Sequence, residues 1–353
     1  MLTGVLHMRS TFRFLALLAV AATLFLSGCS SVGSAMKASP SLANAAGLAD
    51  IPMPYLEERY VNEDSRFIDV NGYRIHYRDQ GEGETIILLH GIFSSLQTWD
   101  AWVAELSRSH RVIALDMPGF GMTGGPENLD DFDEDNIVNT FAKFVEHLDL
   151  ENFTLAGNSF GGYVAARYAA QYGNRVDRLI LVDPLGYPQE TPLLMNLGTA
   201  FPFNFLGNYV QPPLIVTLSL RNAYGDPRRM QDKDVYRYVH MAQRPGAKPI
   251  YMKTLEMVEE RTENEAPLPF YRIAAPTLLM WGKDDSWVPV ELATHWLNDL
   301  SHARLVTYEG VGHMPMEEAP DETLRDVRRF LTNGLAVFPE PAGDIDEGVA
   351  QAN

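Results

Sequence analysis

Four short runs constrain this chain more than anything else in it: "TIILLH" (85–90), "RVIALD" (111–116), "NFTLAG" (152–157) and "RLILVD" (178–183). Each is apolar through its centre. A strand that offers no polar alternation has no face to give to water, so the first two runs read as strands buried on both sides, and the other two read as further strands. The stretches between them supply the cover. "SLQTWDAWVAEL" has helical spacing, and "NIVNTFAKFVEHLDL" (136–150) gathers Ile137, Phe141, Phe144, Val145 and Leu148 on one face, as an amphipathic helix does. "SFGGYVAARYAAQY" continues the alternation. Such a βαβα rhythm predicts an α/β fold, a mostly parallel sheet with helices on both faces. Ahead of it, "RFIDV" and "YRIHYRD" flank Asn71-Gly72, a pair suited to a two-residue hairpin because both residues must take positive φ.

The rhythm stops at Pro184 and resumes at "PTLLMWG" (276–282), followed by a helix, "ARLVTYEG" and a last helix ending near Leu331. The intervening stretch, 185–274, is too long for a structureless loop inside a compact domain. It reads as a helical cap inserted into a core made of 65–184 and 275–333. A length of 353 residues accommodates one such core with its insertion. The tail, 334–353, is acidic and rich in Pro and Gly and is expected to be disordered.

The amino-terminal residues carry a different message. Arg9 and Arg13 precede "FLALLAVAATLFL" (14–26), a run too short for a bilayer core of about 30 Å, which takes ~20 residues. It reads as the apolar part of a signal peptide spanning 1–28. Residues 29–64 then read as a tether, since 30–54 are small, polar and punctuated by proline. Cys29 is the only cysteine, so no disulfide within the chain can support the fold. A net charge of −18 argues against nucleic acid as a partner and for solubility. No obligate protein partner is inferred. No H-E-x-x-H or clustered Cys/His set occurs, so no metal and no other cofactor is expected.

Chemistry concentrates in "LAGNSFGGYV" (155–164), where Ser159 lies between Gly157 and Gly161 in a G-x-S-x-G pattern, after a strand and before a helix. A tight turn there forces the serine into an unfavourable backbone conformation, and side chains at the flanking glycines would collide as strand and helix close up. A serine hydroxyl is a poor nucleophile and needs a histidine held by a carboxylate. Of nine histidines, only His302 and His313 lie beyond the resumed sheet in loop-like settings. His302 precedes its strand, at the wrong end. His313, in "EGVGHMP", follows the last strand and is the expected base. For the acid, "WGKDDSWVP" offers Asp284 and Asp285 at the carboxyl edge of the sheet, where ligands bind in open α/β folds, and Asp183 ends an earlier strand. The residues alone do not separate these candidates. One oxyanion donor is expected from the backbone N–H of Phe160, which opens the helix and gains from its dipole.

Taken in order, "LLHGIFSS", "DMPGFGMT", "GNSFGG", "WGKDDSWVP" and "GVGHMPMEEAP" make the chain resemble the α/β-hydrolase superfamily over about residues 65–333. The resemblance implies an α/β-hydrolase sheet under a helical cap. It selects Asp285 as the acid, three residues after the glycine of the W-G turn, and Ile92 as the second oxyanion donor. It assigns Asp116 and His90 to shaping the loops beside the site. "LSGC" (26–29) resembles the bacterial lipobox, which implies that Cys29 is lipidated and becomes the new amino terminus, and Ser30 after it implies the outer membrane. The function implied is that of a carboxylic-ester hydrolase, esterase-like or lipase-like, acting through an acyl-enzyme on small esters with apolar acyl or aromatic groups. An alternative within the fold is the C–C bond hydrolases of ring-fission products, but those carry Trp after the histidine where Met314 stands here. A noncatalytic, membrane-tethered binding module is the alternative of another class, and a complete Ser, Asp and His set counts against it.

Overall fold

The apolar runs form the middle of an eight-stranded sheet in the computed structural model, which describes residues 46–190, 198–200, 203–263 and 268–340. Its strands are β1 (Ser65–Val70), β2 (Tyr73–Gln80), β3 (Thr85–Leu89), β4 (Arg111–Leu115), β5 (Phe153–Asn158), β6 (Val176–Val182), β7 (Thr277–Gly282) and β8 (Ala303–Tyr308). They lie in the order β1-β2-β4-β3-β5-β6-β7-β8. The pairs β1–β2 and β2–β4 are antiparallel, and the rest of the sheet is parallel. Val70 pairs with Tyr73 across a two-residue turn in which Asn71 (φ 52°) and Gly72 (φ 84°) are both left-handed, the geometry that matches the twist of the strands.

Side chains alternate across the sheet with period two, and that alternation builds two cores. Ile87, Leu89, Ile113, Leu115, Leu155, Leu179 and Leu181 face one side. They meet α3 (Glu134–His147) and α4 (Phe160–Gln171) there. Ile86, Leu88, Val112, Ala114, Ile180 and Val182 face the other, against α2 (Asp100–Leu106) and α11 (Pro320–Asn333). Helix α3 begins two residues before the apolar periodicity does. Its N-cap is Asp133, whose carboxylate accepts the N–H of Asn136 at 2.7 Å.

Among the described residues, the insertion between β6 and β7 contains the helices α5 (Phe203–Gly207), α6 (Pro213–Ala223), α7 (Asp232–Ala242) and α8 (Ala247–Glu263). After β7 come α9 (Ala293–Asp299), β8, α10 (Pro315–Glu318) and α11. Two segments differ from their sequence reading. Within the stretch read as a tether, α1 (Met53–Tyr60) is helical, started by Pro52 and Pro54 and buried through Leu56 and Tyr60 against Met122 and Met241. At the other end the chain stays packed as far as Phe338, which is buried against Phe330. The signal peptide, Cys29 and the tail from 341 lie outside the described residues.

Candidate active site

The turn between β5 and α4 is set by what has no room in it. A Cβ on Gly157 would stand 2.3 Å from the carbonyl oxygen of Gly161, and one on Gly161 would stand 2.4 Å from the carbonyl oxygens of His90 and Leu89. Between them Ser159 takes φ 55° and ψ −121°, a strained conformation for a residue with a side chain. It occupies the N-cap of α4, yet its side chain makes no capping hydrogen bond. Its Oγ is thus left to other chemistry at the positive end of a helix.

The loop after β3 presses on the same residue. A Cβ on Gly91 would lie 3.0 Å from Cβ of Ser159, so the backbone at Gly91, one residue before Ile92, runs directly beside the serine. His90 shapes this loop, accepting the N–H of Met117 at Nε2 (3.0 Å) and donating from Nδ1 to the carbonyl of Gly91 (2.7 Å). Burial holds the His90 pKa below its ordinary value, consistent with the neutral tautomer these bonds require. Among the described residues, no hydrogen bond uses the backbone N–H of Ile92 or of Phe160.

His313 reaches the site from the loop after β8. Its Nδ1 lies 2.7 Å from Oδ2 of Asp285, and both residues are buried. A carboxylate can only accept, so Nδ1 carries the proton and Nε2 is the acceptor. Oδ1 of Asp285 is held by the backbone N–H groups of Trp287 (2.7 Å) and Val288 (3.0 Å), and the Trp287 indole stacks on the imidazole at 5.3 Å. Asn158, the neighbour of Ser159, donates Nδ2 to the carbonyls of Val182 and His313, each at 3.1 Å, and so ties the serine turn to the histidine loop. No hydrogen bond joins Oγ of Ser159 to the imidazole, a link that commonly closes only when substrate binds.

The other acid candidates fall elsewhere. Asp284 is exposed. Asp183 is wholly buried at the end of β6 with φ 45°, and its Oδ1 accepts the N–H of Gly282 at 2.9 Å. Its Oδ2 has no donor and the carboxyl faces Asp285. Burial, reinforced by the Asp285 charge, pushes the Asp183 carboxyl well above the usual carboxylate range, which favours its protonated form. His302 sits at the opposite edge of the sheet, beside Glu84 and Arg178 in an open cleft of about 490 Å³.

A second Ser, His and Asp set also exists, with His76 at 2.7 Å from Asp116 and 2.9 Å from Ser65 Oγ. Asp116 is fully committed to structure. It also accepts the N–H groups of Leu96 (2.7 Å) and Met122 (2.8 Å), which fastens the loops after β3 and β4.

Two acids after His313, the buried Glu318 and Glu317 with a side chain only 7% exposed, have no counterpart in the sequence reading, although two adjacent acids among apolar residues in "HMPMEEAP" are a signal for them. Glu318 accepts the N–H of Gly312 at 2.8 Å and those of Gly225 and Asp226 in the insertion. Glu317 accepts from Arg237 (2.7 Å) and Tyr224 (2.6 Å) of the insertion and from Thr98 of the core. The carbonyl of Ala223, at the end of α6, accepts the N–H of His313 at 2.7 Å.

Residues 84–320 match the family model described as alpha/beta hydrolase fold. The chain belongs to the α/β-hydrolase fold family. Within this family it is similar to a meta-cleavage product hydrolase from Pseudomonas fluorescens, with a TM-score of 0.68 and 26% identity over 77% of this chain and 99% of that one. It is similar to a membrane phospholipase A described as a bacterial virulence factor, with a TM-score of 0.65 and 25% identity over 92% and 99% of the two chains. Among curated relatives it is 26% identical to the cis-3-alkyl-4-alkyloxetan-2-one decarboxylase of Shewanella oneidensis, over 80% of this chain and 93% of that one.

Proposed function

We propose that the protein is a serine hydrolase that cleaves carboxylic esters carrying apolar acyl or aromatic groups. The observation that carries this reading is the 2.7 Å pair of Asp285 and His313 beside a serine held at φ 55° on a helix N-terminus. In this account Oγ of Ser159 attacks the ester carbonyl as Nε2 of His313 takes its proton, while Asp285 holds the Nδ1–H and stabilises the imidazolium. The N–H groups of Ile92 and Phe160 receive the oxyanion, an interaction worth about 3–4 kcal/mol per donor. The alcohol leaves with the proton from His313, and water, activated by the same imidazole, releases the acid from Ser159. The lipobox-like "LSGC" supports an anchor on Cys29 and a place at the bacterial outer membrane.

The similarity to the meta-cleavage product hydrolase favours a second reading, C–C bond hydrolysis of a ring-fission product by the same Ser, Asp and His. A fluorophosphonate should label Ser159, and Ser159→Ala should abolish both label and turnover. Rates on p-nitrophenyl esters of graded chain length, set against a 2-hydroxy-6-oxo-dienoate, then decide the substrate. Labelling that survives Ser159→Ala, or turnover of the dienoate alone, would overturn the ester assignment.

A further inference from the structure

Among the described residues, six large apolar or aromatic side chains stand exposed, and five of them, Tyr55, Phe205, Tyr209, Leu214 and Tyr236, belong to α1 and to α5, α6 and α7 or the turns joining them. Four of them fall into two groups, on segments that hydrogen bonds link. Tyr55 and Tyr236 flank the ring of His240 at 5.6 and 6.2 Å, and the rings of Phe205 and Tyr209 are 5.4 Å apart. The N–H of Ile51 donates to the carbonyl of Gln243 at 2.8 Å. The Gln243 side chain in turn donates to the carbonyl of Gln211, between Tyr209 and Leu214, at 3.4 Å. The point at which the chain from Cys29 joins the domain is thus fastened to the turn that carries the exposed side chains. Helix α6 is apolar along "PLIVTLSL", yet among its residues only Leu220 and Ala223 are buried. Leu214 stands exposed in its first turn, and its last residue is Ala223, whose carbonyl holds the N–H of His313. The two ends of this 11-residue helix are about 16 Å apart.

We propose that α1 and the α5–α7 part of the insertion form a docking face for a lipid bilayer, from which α6 leads to the site at Ser159. The inference rests on the reading that Cys29 is lipidated and that the site cleaves esters. Even fully extended, the stretch from Cys29 to Ile51 spans no more than about 80 Å, so an anchored domain meets the bilayer at high effective concentration. Three of the five side chains are tyrosines, which place a ring in the acyl boundary and a hydroxyl among head groups. A surface that feeds acyl esters to the site is also the surface on which such esters are held.

The test uses the full, lipidated chain in vesicles of phosphatidylethanolamine and phosphatidylglycerol. With Cys29 blocked by its lipid, Leu214→Cys or Tyr271→Cys supplies the one thiol for an environment-sensitive fluorophore; Tyr271, the sixth exposed side chain, lies on the segment before β7. Brominated lipids should quench the label at position 214 and spare the label at 271. A triple variant, Phe205→Ser with Tyr209→Ser and Leu214→Ser, should lose about tenfold or more of its rate on a vesicle-borne ester while its rate on a soluble short-chain ester stays within about twofold. Equal quenching at both positions, or none, in protein that is vesicle-bound and hydrolyses the soluble ester would overturn the docking face and leave the ester reading intact. Selective quenching without any ester hydrolysis would support the docking face and overturn the ester reading. Shielding of position 214 without vesicles, together with a dimer that the triple variant dissolves, would give the face to a second copy and overturn the proposal.

Discussion

Asp183 is a buried carboxyl pushed toward its protonated form, and its neighbours say why. Oδ1 is committed to the N–H of Gly282, while the charged groups near the carboxyl are Asp285 and Glu318, both acids. A carboxyl whose folded pKa lies above its unfolded value binds a proton that the unfolded chain has already released, so stability falls as pH rises between the two values. Asp183→Asn keeps an acceptor for Gly282, offers a donor toward Asp285 and does not titrate. Its Tm should therefore gain on the wild type as pH is raised from about 4 upward, measured by thermal melts across that range. A difference that stays constant with pH would mean that Asp183 carries no proton. The same strand ends show what the residues alone leave open. Asp284 and Asp285 are adjacent, and which of them faces His313 depends on how the chain turns as it leaves β7. That turn also makes Asp285 the acceptor for Trp287 and Val288 and sends Asp284 to solvent.

Elements with a strong local pattern were legible: the continuous apolar runs as strands, Asn71-Gly72 as a hairpin, and the amphipathic spacing as α3. Their information is local, carried by side-chain period and by the residues able to take positive φ. The attachment of the insertion to the core was not legible, because it is made by pairs far apart in the chain. Glu317 on α10 meets Arg237 on α7, and both side chains are buried, with Thr98 and Tyr224 completing the cluster. Burial alone would raise the Glu317 carboxyl, but the Arg237 charge and these hydrogen bonds outweigh it and hold it below its ordinary range. Removing one partner strands the other. Among the described residues, Glu317→Gln leaves Arg237 one acidic partner, Asp234 at 3.7 Å, and should cost about 3–5 kcal/mol in denaturant unfolding. Adding Arg237→Met should restore much of that loss, and a double-mutant cycle isolates the coupling. If the two losses simply add, the pair contributes nothing of its own.

On the scale of the whole molecule, α1 is the part that the sequence reading placed outside the fold. Eight residues are too few for a helix to stand alone in water, and two prolines in 52–54 make the segment look like a linker. Its stability comes from what it touches. Leu56 is fully buried, and the Tyr60 hydroxyl is hydrogen-bonded with Nδ1 of His240 on α7 at 2.7 Å. The carbonyl of Tyr60 accepts from Arg78 of β2 at 3.1 Å. Leu56 and Tyr60 share an apolar cluster with Met122 of the core and Met241 of the insertion. The helix therefore bridges both parts, at the place where the chain from Cys29 arrives. Leu56→Ala in the full chain removes a buried side chain and should cost about 2–5 kcal/mol, as large-to-small changes in cores do. The unfolding transition should move as one, because the lost contacts bridge insertion and core. A residue in a solvated tether would change stability by less than about 0.5 kcal/mol, and a result that small would return α1 to the tether.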